Sequence, residues 1–538
     1  MVGREAQPTP KGRILKCRLG FQPDPWCSKK EIPINFSKRS NTLTLTFILT
    51  LLLGATAQAT DKPNILFFLV DDMGVGDTSV PFLYENGKPK KIPLNDLYRT
   101  PNMEKLAANG RLFTNAYSYS VCSPTRISLM TGQAAPRHAV TTWTHPKQSS
   151  VDTGLVKSGK IKSPPNWRIT GLDRKLPLLP RLMKDAGYRT LFAGKAHFGP
   201  DDTPSGDPTN LGFDVNIAGF GGGGPGSYWG KYNYSANHRT GKHVWDVPGL
   251  EKYHGTDTFL SEAITLEMNQ AIEDTVKAKK PFFAYMSHYA VHAPWIYPDA
   301  RFTQNYPTLK GNGLAFATLV EGMDKSLGDM IRKLERLGVA EDTLVIFFSD
   351  NGSAWSSNGP FRDKKGSRFE GGLRVPLIVA WAKPNPNNPL QQALPIPTNT
   401  IDHSIVTCVD MMPTLLKVAY ACIPEGTVID GFDIRPYFTG KAGTHRPQEF
   451  LTHFPHRHRN TLFSTYREKN WKVIYNYAPN KWELYNLDAD PFEKNNLFGK
   501  DPEFSQAIAK KLVQQLDGQG ALYPVDVETG QPVKPKLP

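Results

Sequence analysis

Several apolar runs of strand length, each closing on a cluster of polar residues, restrict the folds open to this chain. Asn64-Ile-Leu-Phe-Phe-Leu-Val70 has no polar face, which predicts a strand buried on both sides, and it ends in Asp71-Asp72-Met73-Gly74. The arrangement recurs. Arg111–Tyr117 leads to Val121-Cys122-Ser123-Pro124, and Tyr188–Ala193 leads to Gly194-Lys195-Ala196-His197. Phe282–Ser287 leads toward His288 and His292, and Thr343–Phe348 leads to Ser349-Asp350-Asn351-Gly352. Between the runs lie segments of helical spacing at about 176–186, 257–275 and 315–337, and a helix start at Thr100-Pro101 with its stop at Gly110. Strands alternating with amphipathic helices predict an α/β fold: a large, mostly parallel (mixed) sheet sandwiched by helices. In such sheets ligands bind beyond the carboxyl ends of the strands, where these polar clusters fall.

The ends of the chain read differently. Ser37-Lys38-Arg39, the apolar run Leu43–Leu53 and Ala57-Gln58-Ala59 form a basic flank, an apolar core and an A-x-A cleavage site. Residues 1–59 are therefore expected to be a leader and secretory signal, too short to span a membrane, directing the protein to the periplasm or outside the cell. Of the formal net charge of +14, these residues contribute nine Lys or Arg against three Asp or Glu, +6, leaving +8. A moderately basic surface suits acidic substrates such as sulfated glycans and by charge alone would also fit a cell-surface polyanion or nucleic acid, although no nucleic acid is expected as a partner. Residues 60–429 are expected to form the catalytic domain. From 430 to 538 shorter strand-like pieces and a helix near Pro502–Leu516 predict a smaller α+β domain with an antiparallel sheet.

Cysteine is sparse. Loss of the signal would remove Cys17 and Cys27 and leave Cys122, Cys408 and Cys422, too few for a disulfide scaffold. A continuous helix between the last two would hold them about 20 Å apart, so both are expected to be buried thiols. Lys147–Arg174, rich in turn formers, is expected to be a surface insertion. Gly219–Gly230 lacks the G-K-[ST] of a phosphate loop and is expected to border the substrate pocket.

Asp71, Asp72, Asp350 and Asn351 offer hard oxygens from two strand ends, the donor type of Ca²⁺ or Mg²⁺; each pair alone could equally cap its strand in an Asx-turn. Cys122 precedes Pro124 and Arg126, so it should start a helix, where backbone N–H groups and the guanidinium favour an anion. Lys195 and His197, two apart in extended backbone, project to one side. His453-Phe454-Pro455-His456-Arg457-His458-Arg459 reads as a basic loop leaning over the pocket, with His456 and His458 contacting substrate, or as a plain solvated loop.

Cys122-x-Pro124-x-Arg126 followed by Ser128-Leu129-x-Thr131-Gly132 resembles the activation signature of type I sulfatases, in the alkaline-phosphatase-like superfamily; Gln133 stands where arginine is usual. Further blocks follow in order: D-D-x-G at Asp71, G-K-x-H at Lys195, H-x-P at His292, S-D-N-G at Asp350 and K-G-x-x-x-E-G-G at Lys365. Within that family the chain resembles secreted bacterial polysaccharide and aryl sulfatases. The resemblance implies that a maturation enzyme oxidises Cys122 to formylglycine, whose hydrate attacks sulfur and forms a sulfo-enzyme. It implies Ca²⁺, with Mg²⁺ as the alternative, on Asp71, Asp72, Asp350, Asn351 and the oxygen at 122. Arg126 would orient the hydrate, Lys195 would neutralise sulfate, and His197 would act as base. His292 and Lys365 would bind sulfate and protonate the leaving oxygen of a sulfated carbohydrate. Two other readings are a phosphomonoester or phosphonate hydrolase of the same superfamily, and an unmatured protein that binds sulfated glycans.

Overall fold

The computed structural model describes residues 62–85, 87–148, 160–243, 245–355, 359–441, 446–458 and 461–537. The leader and signal, with Cys17 and Cys27, and much of the 147–174 segment lie outside them. Eight strands form the main sheet: β1 (Asn64–Val70), β2 (Gly110–Tyr117), β3 (Arg189–Gly194), β4 (Val215–Ile217), β5 (Phe282–Ser287), β6 (Thr343–Ser349), β7 (Arg374–Trp381) and β8 (Thr400–Thr407). Their spatial order is β8-β2-β7-β6-β1-β5-β3-β4. β1 pairs in parallel with β5 and β6 at the centre, and only β7 runs against its neighbours β2 and β6. Every other strand therefore points its carboxyl end to one edge, and β7 begins there.

Alternate residues of β1 feed the two faces. Ile65, Phe67 and Leu69 pack beneath α2 (Cys122–Thr131), α3 (Leu179–Asp185) and α6 (Met411–Val418). Leu66, Phe68 and Val70 pack beneath α1 (Pro101–Ala108), α4 (Leu260–Lys277) and α5 (Gly311–Arg336). All six are 0% exposed, which is why the run shows no polar periodicity.

A second sheet follows, of β9 (Glu449–His458), β10 (Thr461–Glu468), β11 (Trp471–Asn476) and β12 (Lys481–Asn486), wholly antiparallel. It packs on α7 (Pro502–Gly518) through a small core that includes Tyr466, Val473, Ile508 and Leu512.

Three expectations need correction. The 453–459 stretch is not a loop: its residues through His458 belong to β9, and Arg459 lies outside the described residues. The 147–174 segment is not all surface, since Trp167 and Leu172 are buried and Ile161–Lys162 pairs with Val525–Asp526. Cys408 is a buried thiol as expected, but Cys422 is exposed.

Candidate active site

Cys122 is the first residue of α2, with Val121 as an extended N-cap, and only 2% of it is exposed. The helix stops at Gly132, whose φ of 63° lets its N–H close back on the Ser128 carbonyl. That short helix stands over the carboxyl ends of β1, β5 and β6.

Two ammonium groups converge on the thiol. Lys195 Nζ, just past β3, lies 3.3 Å from Cys122 Sγ and 2.5 Å from Asp71 Oδ2. Lys365 Nζ lies 3.3 Å from the same sulfur and 2.5 Å from Asp72 Oδ1. Lys365 reaches this edge because it precedes the reversed strand β7; before a parallel strand it would sit at the opposite end of the sheet. Arg126 is 0% exposed. Its Nε donates to Asp350 Oδ2 at 2.9 Å, and its Nη1 donates to the Lys195 carbonyl and Ser287 Oγ, each at 2.7 Å. Arg126 thereby ties α2 to the ends of β3, β5 and β6. Nη2 pairs with Asp350 Oδ2 at 2.9 Å and lies 3.6 Å from Asp71 Oδ1.

The acidic groups come from β1 and β6. Asp72 N donates to Asp350 Oδ1 at 3.1 Å, and Asn351 Nδ2 donates to Asp72 Oδ1 at 2.8 Å. Asn351 Oδ1 is buried without a partner. Ligand atoms of Asp71, Cys122 and Asp350 lie within 4.8 Å of one another. An orphaned amide oxygen beside three carboxylates is a hard donor set of the kind Ca²⁺ or Mg²⁺ takes, so these residues fit such an ion. Burial raises the Asp71 carboxyl well above the usual range, and Asp350 adds to this. Burial also works against ionisation of Asp72, but Lys365, His292 and Lys195 together hold its carboxyl below the usual range. The Cys122 thiol is pushed up to about 11 by burial, with Lys195 and Lys365 opposing.

The two histidines present opposite nitrogens. His197 Nε2 donates to the Thr144 carbonyl at 2.8 Å, so Nδ1 carries the lone pair, and it is buried without a partner. The residue has φ 52°, and Ser123 Oγ donates to its carbonyl at 3.1 Å. His292 Nδ1 donates to the Ala293 carbonyl at 2.8 Å, leaving Nε2 at 3.7 Å from Asp72 Oδ2. Burial, then Lys195, hold His197 well below the usual histidine range. Burial lowers His292 to about 3, with Asp72 pulling the other way. The His292 side chain is 24% exposed and Lys365 is 12% exposed, against 0% for Lys195, so solvent enters on the His292 and Lys365 side.

The glycine-rich segment closes over both rings. A Cβ at Gly223 would lie 2.8 Å from His197 Cε1, and one at Gly224 would lie 2.7 Å from His292 Nδ1. Composition alone pointed to a loop at the pocket, while the ring contacts, and the parts played by Ser287 and Thr144, carry no sequence signal. His288 belongs elsewhere: its Nε2 is 2.9 Å from Ser326 Oγ and its ring packs on Phe68. His456 also lies apart, because it is 1% exposed, with Nε2 2.7 Å from Thr141 Oγ1 and its ring against Trp167. A pocket-rim role for His456 fails on this burial. His458 pairs through its backbone with Thr461, and its side chain lies outside the described residues.

The model of the family described as Sulfatase matches residues 63–421, and that described as N-sulphoglucosamine sulphohydrolase, C-terminal, matches residues 360–521. The N-acetylgalactosamine-6-sulfatase of Canis lupus familiaris is 31% identical over 416 residues, 73% of this chain and 69% of the relative. A sulfatase of Formosa agariphila is 27% identical over 533 residues, 82% of this chain and 86% of its own length. Among solved structures, Ps i-CgsB in complex with k-i-k-neocarrahexaose superposes with a TM-score of 0.66 at 23% identity, covering 85% of this chain and 93% of that one. The PsFucS1 sulfatase from Pseudoalteromonas sp. superposes at 0.61 with 21% identity, covering 86% and 91%. Likeness at that identity carries the fold.

Proposed function

The chain belongs to the sulfatase family of sulfuric ester hydrolases, and we propose that it removes sulfate from a sulfated carbohydrate after Cys122 has been converted to formylglycine. The observation that carries this reading is the approach of two ammonium groups to one buried side-chain atom, Lys195 and Lys365 each 3.3 Å from Cys122 Sγ. A sulfate monoester is an anion whose charge moves onto its oxygens and the leaving group as the ester bond breaks. Two fixed cations at the reacting atom stabilise that charge without reorganising. Sugar-directed activity is supported by the relatives, which include N-acetylgalactosamine-6-sulfatases.

A Ca²⁺ ion held by Asp71, Asp72, Asp350 and Asn351 with the oxygen at 122 would polarise the sulfate and favour ionisation of the nucleophile. The remaining work falls to the chain. One hydroxyl of the residue-122 hydrate attacks sulfur, and the bond from sulfur to the sugar oxygen breaks. The departing oxygen takes its proton from His292 Nε2 in the doubly protonated ring, in which Nδ1–H stays on the Ala293 carbonyl and the Asp72 carboxylate, 3.7 Å from Nε2, favours the extra proton. His197 Nδ1, with a free lone pair, accepts the proton of the second hydroxyl, and the C–O bond to sulfate breaks to restore the aldehyde. Arg126, which holds the Asp350 carboxylate through Nε and Nη2 at 2.9 Å each, orients the hydrate from below. Conversion of Cys122 requires a formylglycine-generating enzyme, and the leader at 1–59 would export the protein. No helix of the described residues is long and apolar enough to cross a membrane.

The test has two parts. The tryptic peptide holding Cys122, from protein made in a host with the maturation enzyme, should be about 18 Da lighter than the unmodified peptide. Cys122→Ala should abolish sulfate release while its unfolding temperature stays within a few degrees of wild type. Substantial turnover by that variant, or a preference for phenyl phosphate over phenyl sulfate, would sink the proposal.

A further inference from the structure

Beside the mouth of the site, on the His292 side, residues 226–243 and Trp245 form a surface of aromatic rings and cations. Tyr228 OH anchors the segment by donating to the Tyr289 and His292 carbonyls at 2.6 and 2.8 Å. Beyond this anchor, the Tyr232 and His238 rings stack with centroids 4.0 Å apart and an interplanar angle of 13°. Tyr297, five residues past His292, closes the group at 5.0 Å from Tyr232 and 5.8 Å from Trp229, and its OH lies 3.2 Å from His238 Nε2. A narrow cleft runs between Gly226, Tyr228 and Arg239 on one wall and Pro294, Ile296 and Tyr297 on the other. Pro294 is two residues from His292, so the cleft adjoins the entrance to the catalytic centre.

The charge on this surface has one sign. Residues 226–245 contain Lys231, Arg239 and Lys242, with His238 and His243, and no Asp or Glu. All five are exposed. The nearest acid in sequence, Asp246, is taken by His243 and Ser235, at 2.5 and 2.6 Å. Lys231 Nζ lies over the Trp229 ring at 5.2 Å. Trp245 is 40% exposed and Ile296 39%. Leaving such apolar surface in water beside Lys231, Arg239 and Lys242 has a cost that a ligand would relieve. Ring faces take the apolar face of a pyranose, while ammonium and guanidinium groups take its sulfate or carboxylate.

We infer that this surface is an outer subsite that binds a second acidic sugar of a sulfated oligo- or polysaccharide while His292 and the two lysines hold the sulfate that reacts. The inference rests on the sulfated-carbohydrate reading above and adds that the substrate is a chain. The subsite acts on binding, so its loss raises KM for chains and leaves kcat and small substrates unchanged.

The experiment compares wild type with Lys231→Ala/Lys242→Ala and, separately, His238→Ala. Substrates are nitrophenyl sulfate, sulfated monosaccharides, and chondroitin sulfate and carrageenan tetrasaccharides. Wild type should show a lower KM for at least one tetrasaccharide than for its monosaccharide unit. The double variant should raise that KM about five- to tenfold, as expected for two exposed charge contacts, with nitrophenyl sulfate kinetics unchanged. Calorimetry of the same tetrasaccharides with Cys122→Ala protein, in low and high salt, should show the same loss of affinity without turnover. Equal KM for chain and monosaccharide, or patch variants that leave chain kinetics and binding as in wild type, overturns the subsite and leaves the sugar sulfatase reading standing. Hydrolysis of nitrophenyl sulfate with no sugar sulfate accepted overturns both.

Discussion

His292 turns Nε2 toward Asp72 Oδ2, 3.7 Å away, while Nδ1 is held by a backbone carbonyl one residue away. A proton delivered from that atom matters in proportion to the basicity of the leaving oxygen. His292→Ala should lower kcat/KM for sugar sulfates by about 10²–10⁴-fold and for nitrophenyl sulfate far less, because a phenolate leaves without a proton. Equal losses on both substrates, measured as released sulfate, would remove His292 from the acid role. His197 shows how one hydrogen bond selects a role. Its Nε2–H is spent on Thr144, and the lone pair at Nδ1 is what remains for chemistry. Its place in a G-K-x-H block was readable from sequence, whereas the choice of nitrogen depends on a carbonyl from a distant loop.

Two elements hold the site from outside. The glycine-rich segment lies so close to the histidine rings that a methyl group at Gly224 would come within 2.7 Å of His292 Nδ1. Gly224→Ala should therefore displace the ring and lower kcat on sugar sulfates by about tenfold or more, and on nitrophenyl sulfate far less, with the circular dichroism spectrum kept. An unchanged kcat would mean that the loop, not the histidine, gives way. The second element is β11. Lys472, 1% exposed, bridges Glu370 at 3.0 Å and Glu493 at 2.8 Å, and Glu370 also accepts from Tyr117 OH at 2.6 Å. Glu370 lies in the loop that carries Lys365, so the antiparallel sheet braces the lysine that reaches Cys122. Lys472→Met would leave two carboxylates facing each other in a dry interior and should cost about 3–5 kcal/mol in urea unfolding. A loss below about 1 kcal/mol would show that Arg374 and Arg467, each 3.7 Å from Glu370, take over the charge.

At the scale of the molecule, several histidines are buried neutral. Burial lowers His138 to about 3, His453 to about 4 and His456 to about 3. The unfolded chain protonates these groups near pH 6.5, and the folded chain resists to about 3 or 4. Between those limits the unfolded state binds more protons, so stability falls as pH falls through this window. Each histidine contributes about 1.4 kcal/mol per pH unit there. Urea midpoints should drop steadily from pH 6.5 to 4, and His456→Gln should make the slope shallower. A flat profile above pH 4 would mean that these side chains are reached by water.

Strand identity and the polar residues at each strand end were legible because a doubly buried strand needs an unbroken apolar run, and the chemistry begins where that run stops. Asp71, Cys122, Lys195, His292 and Asp350 could thus be placed at one sheet edge from spacing alone. Lys365 could be named only through its family block, since nothing local reveals that β7 runs backwards and brings its leading loop to the same edge. Tertiary structure alone decided that His456 is interior, that Gly223 and Gly224 seat two imidazoles, and that Lys195 faces Asp71 while Lys365 faces Asp72. The reason is physical. Apolar periodicity records whether a residue is buried, whereas strand order and direction, set by packing of the whole sheet, record which buried residues meet.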